Sequence, residues 1–104
     1  MTVAVRPNAE VEEEFRHYIR WYENESAGLG DRLWYEIQAA IDLISRSPAI
    51  GEAVRPLRAS GTVRRVPLRH FPFLLVYRER PDHLEIVALA HTSRKPGYWR
   101  ARLK

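Results

Sequence analysis

The stretch NAEVEEEFRHYIRWYENESAGLGDRLWYEIQAAIDLISRSP, Asn8 to Pro48, decides the architecture. Val11, Phe15, Tyr18, Ile19 and Tyr22 recur at spacings of three and four, which makes one helical face. Asn8 is a good N-cap, and Glu10, Glu12 and Glu13 occupy the first turns, where the positive end of the helix dipole favours them. The spacing predicts a helix over 9–25. Ser26-Ala27-Gly28-Leu29-Gly30 is a tight break, after which Leu29, Leu33, Ile37, Ala40, Ile41 and Ile44 mark a second amphipathic helix. It ends near Ser47, because Pro48 disfavours helix at the residue before it. Two long helices joined by so short a link must run antiparallel as a hairpin.

Working outward, Thr2 to Arg6 alternates, with Val3 and Val5 on one side, and reads as a short strand closed by Pro7 that joins a sheet at its edge. On the other side, residues 48–61 carry Pro48, Gly51, Pro56 and Gly61 and form an irregular connection, with a brief extended piece around Val54–Leu57. Thr62 to Leu68 is β-rich, but Val63 is out of phase with Val66 and Leu68, which reads as a bulge. Phe73 to Tyr77 is apolar on both faces, as a central strand requires, and Arg80-Pro81-Asp82-His83 is a turn. Leu84 to His91 then sets Leu84, Ile86, Ala88 and Ala90 on one face and Glu85, Val87, Leu89 and His91 on the other. Tyr98 to Leu103 has room for one turn or a short helix. The order β-α-α-β-β-β predicts an α+β fold, with the hairpin packed on one face of a three- to four-stranded antiparallel sheet and the other face partly open. Residues 1–104 are expected to form one domain.

Composition narrows the setting. The chain has no cysteine, so neither a disulfide framework nor a thiolate metal site is expected. The N-terminus turns acidic within its first residues and has no apolar segment of signal-peptide type, and no run approaches the ~20 apolar residues that span a bilayer. A cytoplasmic protein without membrane contact is expected. Net charge is +4, unevenly distributed. Glu10, Glu12, Glu13, Glu14, Glu23 and Glu25 crowd the first helix, whereas Arg55, Arg58, Arg64, Arg65, Arg69, Arg78, Arg80, Arg94, Lys95, Arg100, Arg102 and Lys104 dominate the second half. The basic half either meets a polyanion or acidic partner, or is ordinary solvated charge.

No Walker loop, dinucleotide fingerprint, nucleophile elbow or zincin motif is present. His17, His70, His83 and His91 lie too far apart in sequence to argue for a metal, and no cofactor is expected. The C-terminal run His91 to Trp99 is richer in chemistry. Metal-free RNA cleavage needs a base for the 2′-hydroxyl, cations for the developing phosphorane charge and an acid for the leaving oxygen. His91 or Tyr98, Arg65 or Arg69, and Arg94 or Lys95 are candidates for those roles. Against this, His91 reads more readily as a strand-end residue bonded to backbone, and Trp99 as an anchor packing the tail on the core. Trp21 and Trp34 fall off the apolar helical faces, which marks either a protein interface or cover for the sheet edge.

The segments RWYENESAGLGDRL (Arg20 to Leu33), VRRVPLRHFPFLLVYR (Val63 to Arg78) and IVALAHTSRKPGYW (Ile86 to Trp99) together resemble the RelE/ParE toxin superfamily, nearest its ParE-like, plasmid-stabilisation branch. The resemblance spans nearly the whole chain. It implies the toxin of a type II toxin–antitoxin pair, in hetero-oligomer with a cognate antitoxin for which Trp21, Trp34, Arg78 and Arg80 are the candidate contacts. RelE-like members cut messenger RNA on the ribosome with basic residues and a C-terminal tyrosine or histidine, while ParE-like members act on DNA gyrase without that catalytic set. Tyr98 lies in the context Pro96-Gly97-Tyr98-Trp99, which belongs with the ParE-like branch and favours gyrase inhibition over catalysis. Arg64, Arg65, Arg69, His91, Arg94, Lys95, Tyr98 and Trp99 are then the candidate target-binding residues. In the ribonuclease alternative His91, Arg65, Arg94 and Tyr98 are catalytic. A non-toxic binding or regulatory relative is the third reading.

Overall fold

Two amphipathic helices follow a short first strand, as the periodicity requires. The computed structural model describes residues 2–54 and 61–103, and the element order is β1 (Val5–Pro7), α1 (Ala9–Glu25), α2 (Leu29–Arg46), β2 (Glu52–Ala53), β3 (Val63–Pro67), β4 (Phe73–Glu79), β5 (Leu84–His91) and a C-terminal 3-10 helix (Tyr98–Leu103). Asn8 caps α1 through its side-chain oxygen, which accepts from the Val11 N–H at 2.8 Å. Val11, Phe15, Leu33, Ile37, Ala40 and Ile44 are buried against Phe73, Leu75, Tyr77, Leu84, Ile86 and Leu89 of the sheet.

The link between the helices works through Gly28 and Gly30. Gly28 has φ +89°, a left-handed conformation that side chains resist, and it offers no cap of its own to α2. Glu23 of α1 supplies one instead, its carboxylate accepting from Gly28 N–H at 3.0 Å and Gly30 N–H at 3.0 Å. A Cβ on Gly30 would lie 2.7 Å from the backbone oxygen of Ile19. Gly30→Ala is therefore expected to destabilise the fold by about 1–3 kcal/mol, because the helices must part to admit the methyl group. A lower midpoint of urea unfolding at unchanged slope checks this, and an unmoved midpoint contradicts it.

The sheet differs from the expectation of three or four antiparallel strands. Among the described residues it has five, in the order β1-β5-β4-β3-β2, and it is mixed. β3, β4 and β5 form the expected antiparallel meander, but β1 runs parallel to β5, with Val5 opposite Leu84 and Pro7 opposite Ile86. Pro7 thus ends the strand from inside it, which an edge position tolerates because no ladder bond is needed from its nitrogen. The extra strand, β2, pairs Glu52 with Arg65 and Ala53 with Arg64, too short a pairing to leave a periodic trace. The extended piece expected at Val54–Leu57 falls mostly outside the described residues, as do Arg55 and Arg58.

The expected bulge also moves. β3 pairs with β4 in continuous register from Val63 to Pro67, so the phase break at Val63 has another cause. Val63 faces away from the helices into a second apolar cluster, with Val76, Val87, Ala88, Ala90, Trp99 and Leu103. The irregularity lies in β5, where Val76 pairs with Ala88 but Tyr77 with Ile86, leaving Val87 as the extra residue. This bulge shifts the alternation. Ile86 and Leu89 face the helices, while Val87, Ala88 and Ala90 face the other way.

Candidate functional site

The sheet face opposite the helices carries the site. Because β3 and β4 alternate regularly, Arg65, Leu74 and Val76 share that face with Ala90 of β5. The C-terminal tail crosses one end of it, so the face is less open than the sequence implied. Trp99 is 4% exposed and, with Leu103, packs on Val63, Val76, Val87, Ala88 and Ala90. What remains is a groove of about 440 Å³ with a floor of Ala53, Val54, Leu74, Val76 and Ala90. Its walls are Arg65 on one side and Thr92, Arg94, Lys95, Pro96, Gly97, Tyr98 and Arg100 on the other.

One carboxylate holds the tail in place. β1 pairs with β5 only as far as Ile86, and beyond it the outer edge of β5 has no strand partner among the described residues. Glu14 of α1 fills that role. Its side chain is only 11% exposed; Oε1 accepts from the Leu89 N–H at 3.0 Å and from Arg102 at 3.0 Å. Oε2 accepts from the Tyr98 hydroxyl at 2.6 Å and from Arg102 at 3.0 Å. Arg102 also donates to the Val87 carbonyl at 2.9 Å, so the exposed edge of β5 is closed by side chains. Burial, and next the Glu14 carboxylate, push the Tyr98 phenol far above its ordinary range, so it stays protonated. Burial works against the charge of Arg102, but Glu14 outweighs it and raises its pKa. On the groove side, the Arg94 guanidinium stacks 3.7 Å from the Tyr98 ring centroid, with Nη1 at 3.9 Å from Glu14.

The other wall has a different character. Arg65 donates from Nε to Glu52 at 2.8 Å, and its Nη2 lies 2.7 Å from the same oxygen, but both side chains are well solvated. Such a pair is worth about 1 kcal/mol or less and exchanges readily for another carboxylate. Lys95 has no carboxylate partner among the described residues.

The candidate residues named from sequence do not gather at one place. Arg65, Arg94, Lys95 and Tyr98 line the groove. Arg64 alternates to the helix side of β3, where it donates to Glu79 at 3.0 Å and to the Gly51 carbonyl at 3.0 Å. Arg69 lies in the β3–β4 loop beside Glu36 and Leu43 of α2. That loop is fixed by Glu36, which accepts from His70 N–H at 2.9 Å and contacts its Nδ1 at 2.6 Å. Burial tends to raise the Glu36 carboxyl, yet the bonds from His70 outweigh it and hold the pKa below the usual glutamate value. His91 reaches the groove only at its rim. Its ring packs against Phe73 at 5.1 Å and Tyr18 at 6.3 Å on the helix side, and Nδ1 accepts from Ser93 N–H at 3.1 Å. Trp99 is a packing anchor and not an exposed contact.

The candidate antitoxin contacts divide similarly. Trp21 is 50% and Trp34 39% exposed on the helical side, and Arg80 sits in the β4–β5 turn. Arg78 is 4% exposed, donating to Glu85 at 2.7 Å and to the Leu103 carbonyl at 2.8 Å, so it braces the tail from below and offers no surface to a partner. Glu14 was missed as a site residue. Its signal was its place three residues after Val11 and four before Tyr18, a carboxylate on an apolar stripe.

A small mixed sheet with a helical hairpin on one face and a cationic groove on the other defines a two-layer α+β protein with a binding face. The family model of the ParE toxin of type II toxin-antitoxin system, parDE, matches residues 5–96, and the chain belongs to that family. A chain of the chromosomal ParDE TA system from P. aeruginosa has the same fold, with a TM-score of 0.69 at 16% identity, over 88% of this chain and 98% of that one. Among curated proteins none matches the sequence. No helix among the described residues is long and apolar enough to cross a membrane.

Proposed function

We propose that this ParE-family toxin inhibits DNA gyrase by binding through its cationic groove, without catalysis, and that a cognate antitoxin neutralises it in the cytoplasm. On this reading residues 1–104 act as a single toxin domain. The observation that carries it is the fate of the two groups that would have to move protons in RNA cleavage. The Tyr98 hydroxyl is committed to Glu14 at 2.6 Å and held protonated, which disqualifies it as a base. The His91 ring lies on the helix side of the sheet, its Nδ1 engaged by Ser93, away from the Arg65 wall. The cations line the groove, while Tyr98 is bound by Glu14 and His91 reaches it only at the rim, an arrangement that serves recognition better than cleavage. For the antitoxin, Trp21 and Trp34 supply exposed aromatic surface of the kind that anchors protein interfaces, and Arg80 in the β4–β5 turn is a separate candidate contact.

The test is the purified chain in a gyrase supercoiling reaction and, in parallel, in a translating extract. Loss of supercoiling with messenger RNA intact is expected. Cleaved messenger RNA with supercoiling unaffected contradicts the proposal.

A further inference from the structure

The groove says what kind of polyanion it accepts. Its cations, Arg65, Arg94, Lys95 and Arg100, face a nucleic acid and an acidic protein segment alike, and charge alone does not separate the two. The rest of the lining does. Single-stranded nucleic acid is held by aromatic rings on which successive bases stack. Here both aromatic rings at the groove are already occupied: Trp99 is buried in the cluster beneath the tail, and the face of Tyr98 is covered by Arg94 at 3.7 Å. Among the described residues the exposed large aromatics, Trp21, Trp34 and Tyr35, are on the two helices, across the sheet from the groove. The floor is instead aliphatic, made by Val54, Leu74, Val76 and Ala90. Aliphatic floor between cationic walls is complementary to a chain carrying carboxylates and apolar side chains together.

We infer that the groove docks an acidic, apolar-bearing segment of a protein partner, its carboxylates meeting Arg65 and Lys95 and its apolar side chains seated on Leu74, Val76 and Ala90. The inference rests on the proposal that this groove is the target-binding surface. It also gives Glu52 a role. Its carboxylate already sits on Arg65 at 2.7 Å, where the incoming carboxylate would go, and so acts as an internal competitor. Removing that charge in Glu52→Gln frees Arg65 and tightens binding.

The probe is a fluorescein-labelled peptide of about ten residues that alternates Glu with Leu or Val, a length that spans the sheet at about 3.3 Å per residue. Its anisotropy is read with the full chain, beside a Gln-for-Glu peptide, a Ser-for-Leu peptide, and single-stranded RNA and DNA of similar length. Saturable, salt-sensitive binding of the acidic apolar peptide is expected. The Gln version should bind roughly tenfold or more weakly and the Ser version severalfold more weakly, with both oligonucleotides weaker than the parent. The double variant Arg65→Glu/Lys95→Glu should lose at least about tenfold, while Arg20→Glu/Arg32→Glu, the same charge change on exposed helical positions, should lose much less. Thermal unfolding of both variants shows that the fold is kept.

Tighter binding of an oligonucleotide overturns the inference in favour of nucleic acid. Equal losses in the two double variants, or no saturable peptide binding up to about 1 mM, overturn it as well. Gyrase inhibition without peptide binding removes this inference and leaves the functional proposal standing. Peptide binding without gyrase inhibition does the reverse.

Discussion

Glu14→Ala is expected to cost about 3 kcal/mol of stability and to lower the thermal midpoint by roughly 10–20 °C. The carboxylate is nearly buried and is shared by Arg102, the Tyr98 hydroxyl and the Leu89 N–H. Its removal leaves a half-buried guanidinium without its counter-charge and a strand N–H without an acceptor, and each omission carries a desolvation penalty. Glu14→Gln keeps the shape and an acceptor oxygen, so it should fall between Ala and the parent. Calorimetry of the three proteins decides the point. A shift of less than a few degrees for Glu14→Ala would mean that the tail is held by Trp99 and Leu103 packing alone.

The second large effect is at Arg78, beneath the same tail. Arg78→Ala is expected to destabilise by about 3–5 kcal/mol, since it strands Glu85 and leaves the Leu103 carbonyl without its donor. The pair Arg78→Met/Glu85→Leu should be much milder than the sum of its parts, because replacing both charges removes the desolvation problem together with the attraction. Urea unfolding of the two single variants and the double variant gives the coupling. Additive losses would show that Arg78 and Glu85 act separately, against the geometry described above.

These two residues also mark how far sequence reading reaches. The helices were legible because their apolar residues repeat with one period and each is bounded by its own signal, Asn8 at one start and Pro48 after the other end. The meander was legible for the same reason, strand by strand. What failed was phase within a strand. Val63 looked irregular only because a second apolar cluster under Trp99 was not anticipated, and the bulge at Val87 was hidden because apolar residues occupy both faces of β5. The parallel docking of β1 and the two-residue β2 leave no periodic trace at all. At the site, the basic residues could be named but not assigned to faces. Arg64 and Arg65 are adjacent in sequence and therefore point to opposite sides of the sheet, so only Arg65 belongs to the groove. Glu14 read as one of several solvated acids. The partners that make it structural, Tyr98 and Arg102, are 84 and 88 positions away, and no spacing rule connects them.

If toxicity runs through the groove and not through proton transfer, inducible expression of three proteins in a bacterial host will show it. The parent, His91→Gln and Arg65→Glu/Lys95→Glu are compared for growth, for supercoiling of a reporter plasmid and for the rate of protein synthesis. Arrest with a relaxed plasmid is expected for both the parent and His91→Gln, with synthesis declining only later, and growth of the double variant should be unimpaired. Early loss of protein synthesis in the parent, relieved by His91→Gln with the plasmid still supercoiled, would instead make the protein a ribonuclease.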